Sequence, residues 1–511
     1  MSNLIQGKFD NLIQTKRIDI LKEKMLDAPR YASIEQARII TRVYKENEEL
    51  STPKKRALSL KAALEELEIG VEKEELIVGN RTKGVRYGVV FPESGCSWVN
   101  KEFETLPTRP QDKFLVKEED IKEFRESIYP YWNGKSMEDV IKNNYGKEIN
   151  AMAKVVKINQ KDHAQGHICP DSELWLKLGP QGLIDKAKEK MANCEENQKE
   201  FYECTILVLE GAKNFMMRYH DYILNMINNC GEDKIEDKYK ESLRNVAEIC
   251  KNLSERPPKT FHEAVQSLWF LFTILHMESN ASSFSPGRMD QYLYPYYKED
   301  IEKGIISEQD ALEIIECLWL KFNQIVYLRN QHSAKYFAGF PIGFNIAIGG
   351  VDENGDDIYN NLSLLILKAQ YHLGLPQPNL SVRLNKNTSH ELMQESIKVV
   401  AKGSGMPQFF NDESIIKAMI NLGIEEKDAR NYAIVGCVEL TTHGNNLGWS
   451  DAAMFNLNKA LELTLNEGKC LLTGEQIGLN LGKLEDYKTF EDLEEAFKKQ
   501  IDYFIDEMMK A

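Results

Sequence analysis

The sequence is short of the features that would place it in several large protein classes. Its longest apolar run, Ser267–Met277 (SLWFLFTILHM), stops at Glu278, well below the roughly 20 apolar residues a bilayer span needs. Cationic residues are in deficit, 64 Lys and Arg against 79 Asp and Glu, and the net charge of −15 argues against a general binder of nucleic acid or of anionic membranes. The opening MSNLIQGKFD has no cationic segment ahead of an apolar core, so it does not read as a secretion signal. The nine cysteines are odd in number, scattered and include no CxxC pair, a usage that fits reduced thiols rather than a disulfide framework. No segment is low in complexity, and 42% of the residues are apolar. These absences leave a globular protein expected in the cytoplasm, long enough at 511 residues for one very large domain or two to four ordinary ones.

Helical periodicity dominates the first 70 residues. Thr52-Pro53 reads as an N-cap and first-turn proline for a helix Lys54–Leu67, and ELIVG (75–79) reads as a short strand. Prolines and glycines between 90 and 112 predict an irregular covering layer. Helices are expected at Leu183–Asn229, at Asp237–Leu253 and, buried on most sides, at Phe261–Met277. That last helix runs into ESNASSFSPGRMDQYLYPYY (278–297), whose serines, asparagine, arginine and aspartate suit either a solvated turn or the polar lining of a pocket. A surface helix and a core helix are expected within Ser307–Tyr327. From about residue 330, apolar strands at 337–350, 375–384 and 432–435 alternate with helices, which is an α/β pattern with a covered sheet. An amphipathic helix, Phe490–Met509, follows last.

Two stretches carry candidate chemistry. In KDHAQGHICP (161–170), His163 and His167 stand four apart, a spacing that puts two imidazoles on one helix face for a metal. Gly166 and Pro170 suit a helix poorly and there is no HExxH, so a loop histidine lining a pocket is the better reading, with Gly166 letting the backbone of His167 approach closely. In NYAIVGCVELTTHGNNLGWSDAAMFNL (431–457), the buried strand Tyr432–Val435 leads to Cys437 and Glu439. If the backbone stays extended, these two share a face. A loop rich in glycine and asparagine follows, and then a helix whose start carries Asp451. A thiol beside a carboxylate allows three chemistries. A thiolate nucleophile would have His443 as its near histidine, but the neighbouring anion raises a thiol's pKa. Metal ligation lacks a recognisable repeat spacing. Radical hydrogen-atom transfer uses a neutral thiol and profits from a base facing the same space. A buried structural cysteine is the plain alternative.

GCVE (436–439) resembles the cysteine-loop motif of the glycyl radical enzymes, the superfamily of pyruvate formate-lyase and the B12-independent glycerol and diol dehydratases. ELIVGN (75–80), YWNGK (131–135), GHICPD (166–171), residues 278–297, LPQPNLSVRL (375–384), GMPQFFNDE (405–413), DARNYAIVGCVE (428–439) and GWSDAAMFNL (448–457) resemble family segments in family order. The resemblance implies an α/β barrel of ten strands in two antiparallel half-barrels, surrounded by many helices, with the cysteine loop inside. Residues 1–511 would be the N-terminal part of one pyruvate formate-lyase-like domain, a helical covering layer to about 150 and helices and barrel strands from about 151. The C-terminal glycyl radical domain would be absent, since no RVxGY-type segment occurs, and the chain is expected not to turn over alone.

By position, the resemblance makes Cys437 the thiyl-radical residue and Glu439 the base. Residues matching His167, Ser283 and Asp451 bind substrate hydroxyls in the glycerol dehydratase branch, with Ser282 beside them. No cofactor is expected bound. The glycyl radical would be installed by a radical S-adenosylmethionine activating enzyme, and the implied partners are a small-molecule substrate, that enzyme and a second copy in a homodimer, with no nucleic acid or membrane. Gly436 stands where pyruvate formate-lyases have a second cysteine, which argues against formate acetyltransferase activity and favours eliminases, decarboxylases or carbon–carbon bond-forming members. An inactive fragment or one subunit of a split enzyme is a further reading. Ser282 and Ser450 replace histidines of the diol dehydratases, pointing away from glycerol or propanediol and toward a different leaving group, such as an amine or sulfonate.

Overall fold

A computed structural model of the chain describes residues 7–158, 166–229, 235–338, 342–448 and 453–510. The chain divides into two compact units, one of Met1–Val90, Glu102–Phe124 and Gly166–Gly448, the other of Phe91–Lys101, Arg125–Gln165 and Trp449–Ala511.

The centre of the first unit is a parallel three-stranded sheet of β1 (Asn345–Gly349), β2 (Asn379–Leu384) and β3 (Gln408–Asn411). Parallel strands need crossover helices, and Asn361–Leu373 and His390–Val400 supply them. The apolar alternation of β1, Ile346 and Ile348 with Ala347 between, is wholly buried, as a sheet covered on both faces requires. Beyond β1 the parallel array continues through single bridges, Gly287 to Ile346 and Phe284 to Ile168. This parallel run with its crossover helices is the α/β architecture expected from the alternation of strands and helices. A separate antiparallel hairpin, β4 (Tyr432–Val435) and β5 (Glu439–Thr442), lies against it.

The helix Phe261–Ser279 is buried almost throughout. Its polar residues explain why ELIVG is not a strand. Gln266 accepts from the Val78 N–H at 2.8 Å and donates to the Val78 carbonyl at 2.7 Å, His262 Nε2 meets the Leu76 carbonyl at 2.7 Å, and Trp269 donates to the Gly79 carbonyl at 2.9 Å. The extended backbone is thus satisfied by side chains of a neighbouring helix, which no local propensity announces. Two further expectations shift. Ser51, not Thr52, caps the helix Thr52–Glu66, accepting from the Lys54 N–H at 3.2 Å, and within Ser307–Tyr327 there is one helix, Glu308–Phe322.

The second unit pairs Val156–Ile158 antiparallel with Ala453–Phe455. Met152, Val155, Val156, Ala460, Leu463 and Phe504 form its core, the last from the amphipathic helix Phe490–Met509.

Candidate active site

The strand β4 is buried on both sides. Tyr432 and Ile434 pack with Ala347, Met419 and Ala429, while Ala433 and Val435 pack with Cys169. Register pairs run from Tyr432–Thr442 to Val435–Glu439, so Gly436, Cys437 and Val438 form a three-residue hairpin loop. This corrects the extended course expected through Cys437. The chain reverses there because Gly436 takes a φ of +58°, a conformation that costs an L side chain about 1–2 kcal/mol. Cys437 therefore sits at an exposed tip, and Glu439 starts the returning strand. The expected helix start at Asp451 is also displaced: the helix is Leu457–Leu465, capped by Asn456, which accepts from the Lys459 N–H at 2.9 Å. Asp451 itself, like Ser450 and His163, lies outside the described residues.

Glu439 faces His167. Its Oε1 is 3.6 Å from His167 Nε2, and its Oε2 accepts from the Val438 N–H at 3.2 Å. His167 is buried, holds a φ of +55° and donates its backbone N–H to the Ser282 carbonyl at 2.9 Å. Gly166 permits that approach, since a Cβ on it would fall on the same Ser282 carbonyl oxygen. Among the described residues His167 Nδ1 is buried without a hydrogen-bond partner. Ser283 is buried too, at a φ of +65°, its hydroxyl donating to the Gly343 carbonyl at 2.7 Å. The 278–297 stretch is thus mostly interior rather than a solvated turn, with Ser282 partly buried beside Ser283. Two L residues held in the left-handed region at one place are local strain of the kind that gathers at functional sites.

The residues that fix this geometry lie mostly within the family-like segments, but no sequence pattern assigned them a role. Arg383 and Asp412, both fully buried, form a two-bond pair with each bond 2.9 Å long. The same guanidinium donates to the Tyr432 carbonyl at 3.0 Å and lies 3.8 Å from the centre of the Tyr432 ring. Arg288, whose pKa burial pulls down to about 9, donates to the Asn431 side chain at 3.0 Å and to the Gly349 and Val351 carbonyls at 3.1 Å. Asn345 and Asn379 reach the hairpin tip. An asparagine at the head of each of two apolar strands, FNIAIGG and PNLSVRL, was the available signal. The His443 ring is edge-on to Tyr292 at 5.8 Å, and burial, with Arg288 adding, holds its pKa down at about 4. Nearby Cys169 has its thiol pushed up by burial to about 12. No group of three or more His, Cys, Asp or Glu residues that could hold a metal occurs among the described residues.

A parallel α/β sheet that cradles a cysteine-tipped hairpin, with a carboxylate and a histidine meeting beside its turn, defines a protein with the fold of the glycyl radical enzymes. The family model described as PFL-like, pyruvate formate lyase-like, matches residues 13–511, and the chain belongs to that family. It is 31% identical to the (2S)-3-sulfopropanediol dehydratase of Klebsiella oxytoca, over 97% of this chain and 61% of that protein. It is 30% identical to the trans-4-hydroxy-L-proline dehydratase of Clostridioides difficile, over 98% of this chain and 64% of that one. The glycerol-bound B12-independent glycerol dehydratase of Clostridium butyricum superposes with a TM-score of 0.91 at 35% identity, covering 97% of this chain and 63% of that structure. The chain therefore spans about six-tenths of the length of these relatives. No described helix is long and apolar enough to cross a membrane.

Proposed function

We propose that this chain carries the substrate-activating hairpin of a glycyl radical lyase that eliminates a group from the carbon next to a hydroxyl-bearing one. The observation that carries the reading is the Glu439–His167 contact of 3.6 Å beside the turn of the hairpin whose tip is Cys437. Cys437, as a thiyl radical, takes a hydrogen atom from the hydroxyl-bearing carbon. Glu439 accepts the proton of that hydroxyl, and the resulting ketyl-like radical expels the neighbouring group. His167 is placed to donate a proton to that departing group. The Cys437 thiol then returns its hydrogen atom to the product radical, which regenerates the thiyl. His167, Ser283 and Ser282 hold the substrate's polar groups. The radical originates on a glycyl residue, made by a radical S-adenosylmethionine activating enzyme acting on a cytoplasmic homodimer. Hydroxysulfonates are the favoured substrate class, because relatives over most of the chain are named for sulfopropanediol and isethionate, each with a hydroxyl-bearing carbon beside the group that can leave.

The test is anaerobic turnover by the protein, treated with an activating enzyme, on a panel of hydroxysulfonates, hydroxyproline and vicinal diols. Cys437→Ala is expected to abolish product while the glycyl radical signal in paramagnetic resonance persists. Product formation by that variant would overturn the assignment.

A further inference from the structure

The hairpin that carries Cys437 is not joined to the β1–β2–β3 sheet by a backbone ladder among the described residues; it forms a sheet of its own. Its position is set by side chains of the strands beneath. At its root, Arg383 of β2 holds the Tyr432 and Arg430 carbonyls at 3.0 and 2.9 Å. At its tip the register ends at Val435–Glu439, and the carbonyls of Gly436 and Cys437 lie in the turn beyond it. Asn379 Nδ2 donates to the Gly436 carbonyl at 3.2 Å and Asn345 Nδ2 to the Cys437 carbonyl at 3.4 Å. These two asparagines are register partners, the first residues of β2 and β1, and their exposures are only 5% and 0%. Asparagine is a poor strand former, and burying its amide is costly unless it is hydrogen-bonded. Two in register at the heads of neighbouring buried strands, each meeting one of two successive carbonyls, form a matched clamp.

We propose that Asn345 and Asn379 are positioning residues for Cys437, holding the tip carbonyls so that the thiol is presented at a fixed distance from the substrate carbon. The role rests on the lyase reading, since an atom-transfer step is sensitive to displacements of about 1 Å. Because the root is held separately by Arg383, loss of the clamp frees the tip without unseating β4.

The experiment uses the full chain and two readouts that need no turnover: the alkylation rate of Cys437 by iodoacetamide, resolved by peptide mass spectrometry, and amide exchange of residues 436–440. Asn379→Ala is expected to raise both by about fivefold, the loss of one neutral hydrogen bond. Asn345→Ala, which loses the longer bond, is expected to raise them less. Asn379→Asp supplies a signature that packing alone does not give. Ionised at neutral pH, the carboxylate repels the Gly436 carbonyl; protonated in mild acid, it donates to it. The ratio of variant to parent rates should therefore fall back toward one as the pH is lowered. Parent-like rates in the double alanine variant, or an aspartate ratio that is the same at every pH, would overturn the clamp. Should the thiol readouts move as expected while Cys437→Ala still turns over in the activated enzyme, the lyase reading falls and the clamp stands.

Discussion

His167 and Glu439 face each other with Nε2 and Oε1 3.6 Å apart, and the backbone of Gly436 lies against both. A Cβ on Gly436 would stand 2.5 Å from Glu439 Oε2 and 2.6 Å from His167 Cδ2, in a residue whose φ is +58°. The glycine is what lets the imidazole and the carboxylate close over the hairpin turn.

Gly436→Ala should accordingly displace the Cys437 tip and weaken the Glu439–His167 contact. The left-handed backbone alone costs about 1–2 kcal/mol, and the steric overlap adds to it. Amide exchange at 436–440 should accelerate at least tenfold, with residues of the second unit unchanged.

The Arg383–Asp412 pair should behave as a buried ion pair whose halves cannot be removed singly. Asp412→Asn leaves the fully buried guanidinium without its counter-charge and is expected to cost about 3–5 kcal/mol. Arg383→Met with Asp412→Leu together should recover part of that loss. Urea denaturation of the parent, the single variants Arg383→Met and Asp412→Leu and the double measures the non-additivity; additive losses would contradict it.

The acid side of the stability profile should carry buried neutral histidines. His276 is fully buried, with Nδ1 2.6 Å from the Phe272 carbonyl and no partner on Nε2 among the described residues, and burial, helped by Arg81, lowers its pKa from 6.5 to about 3. The unfolded chain takes up the proton first as pH falls, so this stability is intact above about 6.5 and drains away between there and about 3. The slope is about 1.4 kcal/mol per pH unit for the one group. His443 and His262 are lowered in the same direction, also by burial. His276→Phe should flatten the dependence of the denaturation midpoint on pH over this window.

Thiol reactivity should separate the tip from the core. Cys437 is exposed, whereas Cys96, Cys169, Cys250 and Cys317 are buried and burial raises each of their pKa values. Limiting iodoacetamide on the native chain should modify Cys437 ahead of those four, and denaturation should erase the order.

Periodicity served well where burial alone decides local structure. Tyr432–Val435 and Phe490–Met509 have the limits their apolar patterns give, since a strand or helix that buries one continuous apolar set has little freedom in where it runs. The turn at Gly436 was written in the chain as a glycine, but its sense was not, because φ at a glycine is chosen by what must fit beside it. ELIVG has every local mark of a strand and is none, since its partners are side chains of a helix nearly two hundred positions away.

By itself, then, the sequence determined the alternation of strands and helices after residue 330 and the presence of a cysteine, a carboxylate and a histidine with suitable chemistry; those follow from residue type and short-range order. The tertiary structure decided that Cys437 stands at a tip rather than on a strand face, that Glu439 meets His167, and that Asn345, Asn379, Arg383 and Arg288 hold the hairpin in place. Those are pairings between segments far apart in the chain, fixed by which buried donor finds which unsatisfied carbonyl, and that accounting exists only once the backbone is folded.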